Sequence, residues 1–244
     1  ATLGFPDGWR SDSVELAGAA ASGLTAPIHG LQIGKVVKIT EDPDNRLRIQ
    51  VSLPMVGSSE TLVWARFAMP YATVDAGIQF LPEVDDEVVL AFLNANPDAP
   101  VVLGALHSGA IAQPYDADET NTFKGIVSKS LMKIEFDDEK KVLSLVTPGG
   151  HSLVFDDDAG SVTLEDSTGN KISMTDSGIE INSPKDIKFI ATGKIDAEAT
   201  SDLSASGMNV SLSAEAQFTA KGDAGAEVSA SGTTVVKGAM VMIN

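Results

Sequence analysis

From Ile179 onward, apolar and small residues return at every eighth position. Ile179, Ile187, Ile195 and Leu203 form one series, and Ile181, Phe189, Ala197 and Ala205 form a second, two residues behind it. The spacing slips by one residue near Gly207 and then resumes. Val210, Phe218 and Ala226 line up, as do Leu212, Ala220, Val228 and Val236, and then Ala214, Gly222, Ala230 and Gly238. Inside each octad, apolar and polar residues alternate, which is the period of a strand with one buried face. A fixed repeat with small residues in register marks a solenoid or β-helix.

Eight extended residues span about 26 Å, enough for one side of a prism but too short to wind round an apolar axis and return. A lone chain built this way exposes unpaired strand edges and an apolar face, and such surfaces aggregate unless identical chains fill the gaps. Three chains, each supplying one side per layer, bury the columns on a shared axis and pair every edge. The residues expected on that axis are Ile187, Ile195, Leu203, Leu212, Ala220, Val228 and Val236. A narrow axis accepts Ala, Gly, Val and Ile more readily than rings, and after Phe189 the sole aromatic is Phe218. No proline follows Pro184, as a ladder that uses every N–H requires.

Upstream, the runs Ile33 to Ile39, Leu47 to Leu53, Thr61 to Met69, Glu87 to Leu93 and Pro100 to Leu106 are rich in strand formers. Turn clusters separate them: Asp42-Pro43-Asp44-Asn45, Gly57-Ser58-Ser59 and Asn94 to Ala99. Five short strands in so short a span predict a small barrel. The expected organisation is an N-terminal arm or linker (1–27), a barrel of OB type (28–108), a second linker (109–122) and a trimeric β-helix needle (123–244). Counting the whole last zone as octads gives about 15 layers at roughly 4.8 Å, a rod on the order of 70 Å. The fold class is all-β: an OB-fold barrel followed by an intertwined triple-stranded β-helix, a homotrimeric spike.

Charge and composition narrow the function. The formal net charge is −17. That disfavours nucleic acid or an anionic bilayer surface as an electrostatic partner, since both need clustered Lys and Arg. There is no cysteine, hence no disulfide framework and no thiolate ligand or nucleophile. No apolar run reaches the roughly 18 to 20 residues of a membrane span, and the start of the chain lacks a basic patch followed by an apolar stretch. Export by the general secretory route is not expected.

Catalytic constellations are not legible. Gly150-His151-Ser152-Leu153-Val154 has Val154 where a nucleophile elbow requires Gly, so a structural turn is the reading preferred. His29, His107 and His151 are the three histidines, and none is paired at metal-ligand spacing. A threefold axis offers a way to gather three copies of one His round an ion, but solvent-facing or capping roles are the ordinary outcome. Asp156-Asp157-Asp158 and Asp42-Pro43-Asp44-Asn45 lack the Gly and distal Glu of an EF-hand loop and read as solvated turns. Trp64 reads as core rather than as a stacking platform for single strands. The expectation is a protein that is not an enzyme and binds no cofactor and no metal.

Several separated motifs resemble one known group. They are His29-Gly30-Leu31-Gln32-Ile33-Gly34-Lys35-Val36, Trp64-Ala65-Arg66, the run Leu81-Pro82-Glu83-Val84-Asp85-Asp86-Glu87-Val88-Val89-Leu90-Ala91-Phe92-Leu93, and Pro100-Val101-Val102-Leu103-Gly104-Ala105-Leu106. In order and spacing they resemble the OB domain of Vgr spike proteins and phage baseplate V proteins. Thr147-Pro148-Gly149-Gly150-His151 and Asp166-Ser167-Thr168-Gly169-Asn170-Lys171-Ile172 resemble the start of that family's β-helix. Two departures fall in predicted turns: Asp85 stands where the family usually has Gly, and Ala95-Asn96 replace its common Gly-Asp.

The resemblance implies a membrane-piercing spike at the tip of a contractile injection machine: a phage tail, a type VI secretion system or an extracellular injection particle. It implies assembly in the cytoplasm as part of the particle and delivery through the target envelope, or secretion, on firing. It implies a tail hub or tube protein on the N-terminal side and effector cargo as a further partner, with the target membrane contacted mechanically. The large hub region with which members often begin is not seen ahead of these motifs, which implies a separate hub protein or a trimmed chain. It also implies a PAAR-type tip protein on the C-terminal end, where Met240, Val241, Met242, Ile243 and Asn244 offer adaptable apolar side chains. The alternatives are a trimeric β-helical receptor-binding fibre or adhesin, which calls for exposed aromatics, and a polysaccharide-degrading β-helical enzyme, which calls for clustered carboxylates.

Overall fold

The computed structural model describes residues 20–23, 25–54 and 61–242. Most of the expected N-terminal arm, the Gly57-Ser58-Ser59 turn, and Ile243 and Asn244 of the expected tip lie outside the described residues. The described residues contain no α-helix, only two short 3-10 turns.

Each of the five β-rich runs is a strand: β1 (Gln32–Lys38), β2 (Arg48–Leu53), β3 (Thr61–Phe67), β6 (Glu87–Phe92) and β7 (Pro100–Leu106). They close a barrel in the order β1-β2-β3-β7-β6. Neighbours pair antiparallel except β3 and β7, whose short parallel contact at Arg66↔Val101 and Phe67↔Val102 completes the closure. Closure leaves the barrel no free edge. Inside it, Val36, Ile49, Val51, Leu53, Ala65, Val88, Leu90, Phe92 and Val102 form the core. Alternation along β3 sends Ala65 inward, so its neighbour Trp64 lies on the outer face and is half-buried, not in the core.

Beyond the five runs, a two-stranded hairpin, β4 (Ala72–Thr73) and β5 (Ala76–Gly77), sits between β3 and β6. Its strands are too short for a periodic signal, and its one legible mark is the turn residue Asp75, at φ +56°. The two departures from the family pattern keep the geometry that Gly would supply. Asp85 adopts φ +78°, with its N–H donated to the Val36 carbonyl and its carboxylate 2.8 Å from Lys35 Nζ. At the second departure Ala95, in the place of Gly, adopts φ +57°, while Asn96 has φ −84°.

The Asp42-Pro43-Asp44-Asn45 turn is exposed from Pro43 to Asn45, but Asp42 itself is turned inward. Asp42 has a side chain only 6% exposed and binds the Arg48 guanidinium at 2.6 Å, while its carboxylate also accepts the N–H groups of Asp44, Arg46 and Arg48. These bonds, led by Arg48, hold its carboxyl well below the usual carboxylate range.

After the barrel, Tyr115 in the second linker stacks on Phe123, and its hydroxyl lies over Gly125, where a Cβ would come within 2.7 Å of it. The linker is thereby packed on the first strand of the next sheet. That sheet is a seven-stranded antiparallel meander: β8 (Phe123–Val127), β9 (Lys133–Asp137), β10 (Val142–Val146), β11 (Ser152–Asp156), β12 (Ser161–Glu165), β13 (Lys171–Thr175) and β14 (Gly178–Asn182). The zone expected to be octads throughout therefore opens with hairpins. The physical reason lies in the turns, where Leu131, Lys141, Gly150, Gly160, Gly169 and Gly178 take positive φ, one in each reversal between the five-residue strands. The octads carry no such reversal.

Within the barrel the tightest approach is at Gly34. A Cβ there would collide with the Val51 side chain and lie 2.9 Å from Leu90 Cδ1 and 3.0 Å from the Ser52 carbonyl oxygen. Gly34→Val is expected to lower barrel stability by about 1–3 kcal/mol through overpacking, read as a lower urea midpoint by circular dichroism. An unchanged midpoint contradicts the packing.

Candidate trimer interface

Two apolar rows run across one face of the meander. Hydrogen-bonded register places Ile126, Ile134, Leu145, Leu153, Leu164, Ile172 and Ile181 side by side. The second row is Phe136, Leu143, Phe155, Val162, Met174 and Ile179. Members of the two rows are two residues apart in each strand, so they share a face, while Glu135, Ser144, Thr163, Ser173 and Glu180 occupy the other. Among the described residues the apolar face is left largely uncovered: Phe136, Phe155, Leu164, Met174 and Ile181 are exposed large apolar side chains. A contiguous sheet face of this kind marks an interface.

The β12–β13 turn of the meander is built round a carboxylate. Asp166 accepts the N–H groups of Thr168 and Asn170, the Thr168 hydroxyl and the Asn170 side-chain amide at 2.7–3.0 Å. Asn170 in turn accepts the Ser183 hydroxyl at 2.5 Å, and that hydroxyl accepts the N–H of Lys185. The turn thus grips the chain where it leaves β14. The bonds from Asn170 and Thr168 hold the Asp166 carboxyl well below the usual carboxylate range. The other acidic cluster is a plain hairpin turn, with Asp156 accepting the Ala159 N–H.

Residues 187–244 form a unit of their own. Through residue 242 the backbone forms no helix and joins no sheet of its own chain. It bends at 192–193, 200–201, 208, 215–216, 223–224, 231–232 and 239–240. The bends therefore recur every eight residues, with one seven-residue interval ending at Met208, where the sequence pattern slips.

Counting from each bend assigns the columns. Ile187, Ile195, Leu203, Val210, Phe218 and Ala226 share one position of the octad. Phe189, Ala197, Ala205, Leu212, Ala220, Val228 and Val236 share the position two further on. The residues expected on the axis thus come from two adjacent columns of one face: Ile187, Ile195 and Leu203 from the first, and Leu212, Ala220, Val228 and Val236 from the second. All are exposed in the single chain, Ile187 by 47% and Val228 by 84%. The intervening positions are polar for most of the span, and ion pairs join residues two apart on that outer side: Lys194 to Asp196 at 2.7 Å and Lys221 to Asp223 at 2.6 Å.

In the last full octad the pattern changes. Thr234 enters an apolar column and Val235 an outer one. Met240, Val241 and Met242 of the expected tip are exposed. His29, His107 and His151 are exposed and lie far apart in sequence, and among the described residues no cluster of three or more His, Cys, Asp or Glu is placed to hold a metal.

A backbone outside any helix or sheet leaves N–H and C=O groups unpaired at nearly every residue, and next to an apolar face these groups need partners that water does not supply. Those partners must come from another chain. Residues 32–107 match the type VI secretion system and phage-baseplate injector OB domain, and residues 142–244 match the phage baseplate V C-terminal trimerisation domain. The chain belongs to the Vgr and phage baseplate V spike family.

In this spike family chain, the unit with exposed columns is the trimerisation domain, so the edges and columns are completed by two further copies. Curated relatives agree. The type VI secretion system spike protein VgrG3 of Vibrio cholerae is 27% identical over 122 residues, 48% of this chain and 11% of the relative. The actin cross-linking toxin VgrG1 of Vibrio cholerae is 25% identical over 121 residues, 48% of this chain and 10% of the relative. The spike protein VgrG1a of Pseudomonas aeruginosa is 28% identical over 67 residues, 28% of this chain and 10% of the relative. The matched region spans about a tenth of the length of these relatives.

Val228→Asp is expected to destabilise the trimer by several kcal/mol, because each copy adds an unpaired buried carboxylate; the check is thermal unfolding, and an unchanged midpoint contradicts the column register. A second expectation concerns acid. A carboxyl whose pKa falls on folding stabilises the fold above its unfolded value, about 3.9 for Asp, and that contribution is lost as pH falls further. Asp166→Asn is therefore expected to weaken the wild-type chain at neutral pH and to flatten the loss of stability between pH 4 and pH 2, measured by thermal melts. An acid profile as steep as wild type contradicts the assignment.

Proposed function

We propose that the chain is one subunit of a membrane-piercing spike at the tip of a contractile injection machine, acting mechanically and not as an enzyme. The observation that supports this reading is the eightfold spacing of backbone bends in register with exposed apolar columns. Three such chains interlock so that every layer is bonded to the next, and a continuous ladder of cross-chain hydrogen bonds resists bending and shear. A piercing element needs that stiffness and needs no catalytic group. The outer positions of the octads carry charges and small polar residues, which keep the rod soluble.

On this reading the barrel faces the tail hub or tube and the octad end faces the target. A PAAR-type tip protein docks on Met240, Val241, Met242, Ile243 and Asn244, where a last layer presents strand edges and adaptable thioethers. Effector cargo travels with the spike, which is assembled in the cytoplasm and carried through the target envelope on firing. The fibre or adhesin reading has less support: Phe189 and Phe218, the aromatics of the octad unit, occupy inward columns and offer no outer glycan platform.

The test has two steps. Light scattering is expected to give a mass of three chains of 25.3 kDa each; a folded monomer removes the basis of the proposal. Deletion of residues 238–244 is expected to leave the trimer intact and abolish capture of a PAAR-type protein in a pull-down. Retained capture moves the tip site elsewhere.

A further inference from the structure

The segment between β3 and β6 is not explained by the barrel. It leaves the barrel wall, forms the β4–β5 hairpin and returns with Tyr71, Val74, Ile78, Phe80 and Leu81 exposed. Val74 is 86% exposed at the hairpin turn. Between Phe67 and Pro82 the single formal charge is Asp75, in a chain whose net charge is −17. An apolar, nearly uncharged projection on a strongly acidic molecule is where like-charged copies approach each other at least electrostatic cost.

Two observations say what covers it. The segment ends at Glu83, whose carboxylate binds Lys129 Nζ at 2.8 Å, and Lys129 lies in the β8–β9 turn beside the exposed Leu131 and Met132. That turn opens onto the apolar rows of the meander, which run unbroken into the matched trimerisation domain. The hairpin segment is thus linked, through Glu83 and Lys129, to the sheet whose uncovered apolar rows run into the matched trimerisation domain. The trimerisation domain also tethers three barrels at high effective concentration, so a modest apolar contact between them is saturated.

We infer that the β4–β5 hairpin and the strand returning from it form an intersubunit clasp, packed against the adjacent copy of the chain at the barrel end of the trimer. This rests on the homotrimer of the proposed function. The clasp would couple the three barrels to one another, so that a load on one is shared by all.

The absence of native cysteine supplies the test. Phe80→Cys and Val74→Cys are made singly in the full chain, with Ser177→Cys, in the exposed β13–β14 turn, as control. Mass is measured first: a monomer refutes the trimer itself and is distinct from failure of the clasp. In a confirmed trimer with no other protein present, a thiol reagent is expected to label Phe80→Cys at least tenfold more slowly than Ser177→Cys, the difference vanishing on denaturation. Labelling of both hairpin positions at the control rate overturns the clasp. If Phe80→Cys fails to fold, Val74→Cys decides by the same criterion.

Discussion

Backbone groups that cannot be satisfied within one chain govern this structure. In the described residues of the octad unit no helix or strand forms, bends recur every eight residues with one interval of seven, and none of these residues joins a sheet of the same chain. Leaving so many N–H and C=O groups unpaired beside apolar side chains is untenable in a folded protein. The unit therefore has a structure only as part of an assembly. Its side-chain pattern follows from the same requirement, since the small and apolar residues occupy the positions that several chains crowd together.

The barrel and the meander answer the edge problem in other ways. The barrel closes on itself through the short parallel contact of β3 with β7, so its core of Val, Leu, Ile and Phe is complete in one copy. The meander pairs its strands internally but leaves one face of two apolar rows uncovered. From N- to C-terminus the described chain thus passes from a domain complete alone, through a sheet complete in its hydrogen bonds but not in its packing, to a segment complete in neither. Each step increases dependence on the partner copies.

Polar side chains pin loops within and between these regimes. Asp42 with Arg48 pins the β1–β2 loop, Glu83 with Lys129 ties the barrel segment to the meander, and Asp166 with Asn170 and Ser183 grips the chain as it leaves β14. None forms a recognisable catalytic constellation. Asp42 and Asp166 each hold a loop in place through several hydrogen bonds to one carboxylate, whereas Glu83 and Lys129 make a single exposed ion pair.

The sequence by itself determined the five barrel strands, the octad columns, the slip near Gly207 and the need for several chains, because periodicity of side chains along a strand is a local property that folding preserves. It also carried the family resemblance, in motifs that sit at strands and turns. Tertiary structure alone decided that residues 123–182 are a hairpin meander, because apolar alternation is the same in a hairpin and an octad and the positive-φ turn residues, two of them Leu131 and Lys141 rather than glycine, separate them. It decided that Trp64 faces outward, since parity along β3 is set by Ala65 in the core. It decided that the expected axis residues fall in two columns, since the bends, not the residue types, define where each layer begins. And it revealed the β4–β5 hairpin, whose two-residue strands are too short for any period to register.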